Sequence, residues 1–241
     1  MIISSIRPSA FSNNSSNSCS ICVYGDLRKL DQPRITKLYD SHEFNVLGPS
    51  QGALEFFLNK SPSAKFMKTE ILPHVSLIKS GKTYQGVTSG PLRIAFIGSK
   101  SVHKGWHVFQ CLSENLNGNK DFKFYNFSSF YIHNSNIKSI KVTTTDENID
   151  AVSQALSKYK IDAVILWSLC RETFSFTLHE ALASDCFIIT NPQSGNIQSE
   201  VQKQPNKGLI IEDEKSLFQL FESGQLYKLL KKKRKKEREI S

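Results

Sequence analysis

The strongest constraint on the fold is a series of short, almost unbroken apolar runs separated by helical segments, starting after Pro91. The runs are "LRIAFIG" (92–98), "FKFYNF" (122–127), "IKSIKVT" (137–143), "AVILWS" (163–168), "CFIIT" (186–190) and the shorter "GLIIE" (208–212). A strand with one wet face alternates apolar and polar residues, whereas most of these runs are near-continuously apolar. Such strands are buried on both faces, which requires helices above and below a mainly parallel sheet. The intervening segments supply those helices. "KGWHVFQCLSENLNG" (104–118) is amphipathic, and "DENIDAVSQALSKYK" (146–160) carries acids in its first turn and lysines in its last, as the helix dipole favours. Further helices are expected from about 173 to 184, over 214–222 and over 225–239.

The fold class is therefore α/β, a Rossmann-like parallel sheet with helices on both faces, assigned to 91–230. Upstream the pattern thins. Residues 1–22 are rich in Ser and Asn and read as disordered. Residues 23–90 offer the strand "FNVLG" (44–48), a helix in "PSQGALEFFLNK" with Ser50 as N-cap, the extended piece "ILPHVSLI" (71–78) and a glycine-rich linker over 79–91. That is too little for a complete α/β domain.

Composition narrows the function classes. Of a net charge of +9, the final "KKKRKKEREIS" (231–241) carries +5, so the basic character belongs mostly to a tail. A final helix packing on the domain with a solvated lysine end explains it, and so does contact of 226–241 with an anionic membrane. Nucleic acid has the weakest case, because the tail lacks interleaved aromatics and the body carries no recognised binding motif. No apolar run reaches the roughly 18 residues of a membrane span, and the N-terminus makes a poor signal peptide, so a cytoplasmic location is expected. Five cysteines, an odd number, fit a reducing compartment; Cys19 and Cys22 have metal-ligand spacing but no second pair. Cys170 and Cys186 read as small core residues.

In open parallel sheets ligands bind outside the carboxyl ends of the strands. Two loops occupy that edge. "GSKSVHKG" (98–105) is neither a dinucleotide fingerprint nor a P-loop. Even so, Gly98 permits a sharp turn, a helix is expected to start near Lys104, and Lys100 and Lys104 add positive charge. A diphosphate suits it; a solvated basic loop is the plain alternative. His103, His107 and Cys111 fall at i, i+4 and i+8, but no carboxylate completes a metal set, so they read as packed or surface residues. The second loop opens "RETFSFTLHEALASD" (171–185). Glu172 would sit in the strand-to-helix turn with the N–H groups of Thr173, Phe174 and Ser175 beside it, and Glu180 two helical turns on. Carboxylates beside N–H donors suit a polyhydroxyl ligand. By spacing alone, an ordinary helix-start acid and a surface glutamate explain the two equally well.

The stretch "ETFSFTLHEALASDCFIIT" resembles the E-x7-E segment of retaining nucleotide-sugar glycosyltransferases of the GT-B fold, and most resembles enzymes of bacterial surface-polysaccharide assembly. "GSKSVHKG" is similar to the Lys-Gly loop of that family, and "FNVLGPS" and "ILPHVSLI" to the end of its N-terminal domain and the segment entering the C-terminal one. The resemblance covers roughly 44–220. It implies hexosyl transfer from a nucleotide sugar to a glycan or lipid-linked acceptor with retention, without an essential metal or other cofactor. By resemblance Lys104 contacts the donor diphosphate, Glu172 holds the donor sugar and Glu180 the ribose, with Gly98, Ser99, Lys100, Thr173, Phe174 and Ser175 around them. Ser99 stands where the family has Arg, Ser175 where it has Gly, and about half of an N-terminal domain is missing. A separate chain supplying that half is an expected partner; a truncated non-catalytic remnant that at most binds donor and a basic-tailed membrane or nucleic-acid adaptor are the rival expectations.

Overall fold

A computed structural model describes residues 25–60, 68–74 and 90–231. The expectations for 1–22, for Cys19 and Cys22, for 75–78 of the extended piece, for 79–89 of the linker and for the tail beyond Lys231 lie outside the described residues.

Residues 90–231 form a six-stranded, wholly parallel sheet. Its strands are β3 (Leu92–Ile97), β4 (Phe122–Ser128), β5 (Ile137–Lys141), β6 (Ala163–Leu166), β7 (Phe187–Thr190) and β8 (Gly208–Ile210), in spatial order β5-β4-β3-β6-β7-β8. Alternate residues of each strand feed two separate cores. Ile94, Phe96, Phe124, Ile165 and Ile189 face α3 (Trp106–Asn115), α7 (Glu214–Glu222) and α8, the helix over 225–231, through Phe109, Leu112, Phe221, Leu226 and Leu230. Ala95, Ile97, Phe127, Val164 and Ile188 face α4 (Ala151–Lys158), α5 (Phe176–Ala183) and α6 (Asn196–Lys203), through Leu156, Leu178, Ile197 and Val201. Both faces of every central strand are dry, which is why the runs are continuous rather than alternating.

Several boundaries differ from expectation. The helix expected from Lys104 begins at Trp106, because Val102–Lys104 form a 3₁₀ turn closed by Gly105 at φ +78°. The helix expected from Thr173 begins at Phe176, because the Ser175 hydroxyl accepts a hydrogen bond from Leu178 N and caps it there. The helix expected over 146–160 is Ala151–Lys158, preceded by a turn in which Thr145 and Asn148 pair. The strands over 137–143 and 163–168 end at Lys141 and Leu166. Helix α6 has only Ile197 and Val201 to mark its buried face, and its N-cap is Gly195, so the sequence gives no helical stripe.

Upstream stand α1 (Gly25–Ser41), β1 (Asn45–Gly48), α2 (Gln51–Lys60) and β2 (Lys68–Ile71), with β1 and β2 in parallel. Helix α1 was not legible: it contains Pro33 and exposes Ile35 and Leu38, so it shows no apolar face of its own. A small cluster of Val46, Leu54 and Phe57 holds this unit together, with Tyr39 edge-on to Phe57. Ser50 caps α2, accepting from Ala53 N at 3.2 Å.

Candidate donor site at the sheet switch point

The strand order locates a crevice before any side chain is considered. From β3 the chain builds outward through β4 to β5, then restarts at β6 on the other side of β3 and builds through β7 to β8. The helices that follow β3 and β6 pack on opposite faces of the sheet, so the loops leaving these two strands mark its topological switch point, where open parallel sheets bind ligands. These are the two loops singled out from the sequence.

Sterics force the loops together. A Cβ on Gly105 would sit 2.1 Å from the Trp167 carbonyl oxygen, so only glycine permits this approach. Leu169 N donates to His103 O at 2.8 Å. Across this seam Lys104 Nζ meets Glu172 Oε1 at 2.5 Å, and the one hydroxyl proton of Ser168 has Cys170 O at 2.8 Å, Glu172 Oε1 at 3.2 Å and His103 O at 3.3 Å as alternative acceptors. The Glu172 side chain is 12% exposed and that of Lys104 40%, so the carboxylate is largely buried and the lysine faces solvent.

A third loop, after β7, fixes the Glu172 backbone. Glu172 N donates to Ser194 O at 3.2 Å, and Asn196 N donates to Glu172 O at 2.8 Å. Gly195 between them has φ +67°, and a Cβ there would lie 2.6 Å from Glu172 O. Thr190 ties this loop to β6 through its hydroxyl and Leu166 O, 2.7 Å apart. Ser168, Gly195 and Asn196 were missed in the sequence; the Ser-Gly dipeptide at 194–195 is the one turn signal that could have pointed to them.

The remaining expected residues divide. Gly98, at φ +124°, turns the chain at the end of β3, with its N–H on Phe127 O. Ser99 and Lys100 are exposed, and the Lys100 ammonium lies 5.9 Å from the centroid of the Trp106 ring. The N–H of Ser175 is not free as expected, because it donates to Asn196 Oδ1 at 3.0 Å. Phe174 is buried, stacked on His179 at 4.5 Å, and Thr173 is exposed. The N–H groups at the start of α3 are also partly used: Lys104 N and Trp106 N both reach back to Ser101 O.

Glu180 lies on α5, partly buried. Burial first, and then the nearby Asp150 at the N-cap of α4, push its carboxyl up to about 7. Burial likewise pushes the Cys186 thiol far up, in keeping with a core cysteine. His103, His107 and Cys111 all stand exposed, and among the described residues no group of three or more ligating side chains could hold a metal.

No family model and no curated protein matches the sequence. Solved structures do match. Sucrose-phosphate synthase from Thermosynechococcus elongatus superimposes with a TM-score of 0.52 at 14% identity, over 85% of this chain and 57% of that one. WaaG, a glycosyltransferase involved in lipopolysaccharide biosynthesis, gives 0.53 at 13% identity, over 79% and 56%. The pneumococcal O-GlcNAc transferase GtfA, solved with UDP and GlcNAc, gives 0.55 at 15% identity, over 86% and 44%. The chain thus spans about half the length of these structures. At such identity the likeness establishes the fold alone: a parallel α/β sheet with helices on both faces, matching GT-B glycosyltransferases.

Proposed function

We propose that the crevice between the β3 and β6 loops binds a nucleotide sugar, and that the chain is the donor-binding part of a retaining hexosyltransferase acting on a glycan or lipid-linked acceptor. The observation that carries this reading is the Lys104–Glu172 pair at the switch point, built from two loops that glycine alone lets touch. A preformed cation and a preformed carboxylate side by side complement the two ends of a sugar diphosphate. The ammonium takes the phosphate oxygens and the carboxylate accepts from sugar hydroxyls. Donor entry exchanges one ion pair for two separate contacts, so neither group is left unpaired.

In the proposed reaction the bond from the anomeric carbon to the diphosphate oxygen breaks, and a bond to the acceptor oxygen forms on the same face. The acceptor proton leaves to the departing phosphate. Lys104 stabilises the charge gathering on that phosphate; Glu172 and Glu180 hold the sugar and the ribose in place. No metal or other cofactor is part of this scheme. Cytoplasmic residence, with the 226–241 segment against an anionic membrane and a separate chain completing the N-terminal half, completes the proposal. Among the described residues no helix is long and apolar enough to cross a membrane.

A second reading, donor binding without turnover, is favoured by one contact. Lys104 and Glu172 satisfy each other, which a chain that only stores or senses a ligand would tolerate.

Calorimetric titration with UDP-, GDP- and dTDP-sugars tests both. One donor should bind, with Lys104→Met and Glu172→Gln each weakening it by about tenfold or more. Binding with slow donor hydrolysis supports the transferase, and binding with none supports the second reading. If a folded chain bound no donor at all, both readings would fall.

A further inference from the structure

The loop that carries Glu172 is gripped from outside the six-stranded domain, at three separate places. The Ser50 hydroxyl donates to Thr173 O at 2.7 Å across 123 residues of sequence, and Ser50 is 5% exposed, so this is a buried link. The guanidinium of Arg171 lies 5.2 Å from the centroid of the Phe56 ring on α2. His74, the last described residue of the N-terminal unit, meets Phe174 edge-on at 5.2 Å and stacks on Phe176 at 6.1 Å. A fourth contact extends the grip to the supporting loop, because Gly52 approaches Ser199 so closely that a Cβ would come within 2.8 Å of its hydroxyl.

We infer that the N-terminal unit (25–74) is a positioning clamp for the Glu172 loop, with Ser50, Phe56 and His74 as its positioning residues. The grip falls on Arg171, Thr173, Phe174 and Phe176, flanking Glu172 on both sides. Glu172 itself is left to face Lys104. Residues 171–175 are irregular backbone between a strand and a helix, the kind of segment that opens locally at low cost. Fixing it in advance removes an ordering cost that ligand binding would otherwise bear. Ser50 is suited to the task because one hydroxyl does two things: its oxygen caps α2 and its hydrogen holds the loop. The significance for catalysis rests on the donor reading of Glu172, whereas the clamp itself does not.

Hydrogen exchange of the full chain, read by mass spectrometry without ligand, tests the clamp. The reporters are the amides of Glu172 and Ser175, which donate to Ser194 O and Asn196 Oδ1. Ser50→Gly keeps most of the capping preference but loses the donated bond. It and His74→Ala should speed exchange in peptides covering 171–177 by about five- to tenfold. β3 and β4 should be unchanged, and Ser50→Thr should restore the native rate. Unchanged exchange at 171–177 would overturn the clamp, and so would acceleration spread evenly over the chain. In parallel, a donor that binds the native chain should bind Ser50→Gly more weakly. If no donor binds the native chain, the donor reading fails while the exchange result still decides the clamp.

Discussion

The two halves of this molecule use the same device, parallel strands, under opposite conditions. In 90–231 six strands bury both faces under six helices, and Leu92, Ile94, Ala163, Val164, Ile188 and Ile189 are wholly excluded from water. In 25–74 two strands pair in parallel, all four residues of β2 are exposed, and three residues make the core. A two-stranded parallel sheet has no independent stability in water. The smaller unit therefore borrows order from the larger through Ser50, Phe56 and His74, and the larger gains a fixed Glu172 loop in return. The proposed donor site sits on the self-sufficient half, at a loop that both halves contact.

That asymmetry is broken most forcefully in the cores. Phe221 is fully buried and packs against Phe122 and Phe124 at 5.1 and 6.5 Å. Phe221→Ala should destabilise the sheet domain by about 3–5 kcal/mol, and the smaller unit should melt with it. Phe57→Ala, in the three-residue cluster, should cost about 2 kcal/mol and leave the sheet domain intact. Both tryptophans, Trp106 and Trp167, lie in the sheet domain, so their fluorescence during urea unfolding reads that domain alone. Coincident fluorescence shifts for the two variants would mean that the halves unfold as one unit and that the comparison is wrong.

A smaller effect sharpens the role of the supporting loop. Gly195→Ala places a methyl against the Glu172 carbonyl at a backbone angle that L-residues avoid, and should cost about 2–4 kcal/mol. Gly118, at φ +81° with nothing within 4 Å of its absent Cβ, is the matched control, and Gly118→Ala should cost about 1–2 kcal/mol. Any donor affinity should be lost with the first and kept with the second. Equal costs would show that the Glu172 backbone yields, and that Gly195 does not fix it.

Legibility in the sequence follows the same division. The strands other than β5 were readable because burial on both faces leaves near-continuous apolar runs, and Lys104 and Glu172 because they lie in the loops after two of those strands. Helix α1 was hidden by Pro33 and by apolar residues left exposed, and α6 by having two buried apolar residues in its length. Ser175 was read as a free N–H donor because nothing local announces Asn196, 21 residues on, as its partner. The clamp was invisible for the same reason: Ser50 reads as an N-cap, and its second bond spans 123 residues. Periodicity reports which faces are dry, and long-range polar pairing leaves no periodic trace.

The smallest expected effect separates the halves by pH. Folded, Glu180 holds its proton up to about pH 7, against an ordinary value of 4.5. Between those values the folded chain binds a proton that the unfolded chain has released, so stability falls as pH rises through the window, and the cost is complete above about pH 7. The shift alone would allow about 3 kcal/mol, but Glu180 is partly solvated and screening reduces this to roughly 1 kcal/mol. Glu180→Gln removes the charge and should match the native chain at pH 4.5 while exceeding its stability by that amount at pH 8, in urea unfolding followed by tryptophan fluorescence. Phe57→Ala should leave the slope between those pH values unchanged, because Glu180 and Asp150 both belong to the sheet domain. If the Glu180→Gln and native curves run parallel, burial of Glu180 costs nothing, and the group is ionised above its ordinary value of 4.5. If they converge at low pH, the protein maintains a costly buried acid on the crevice helix, as expected of a group kept for hydroxyl recognition rather than for stability.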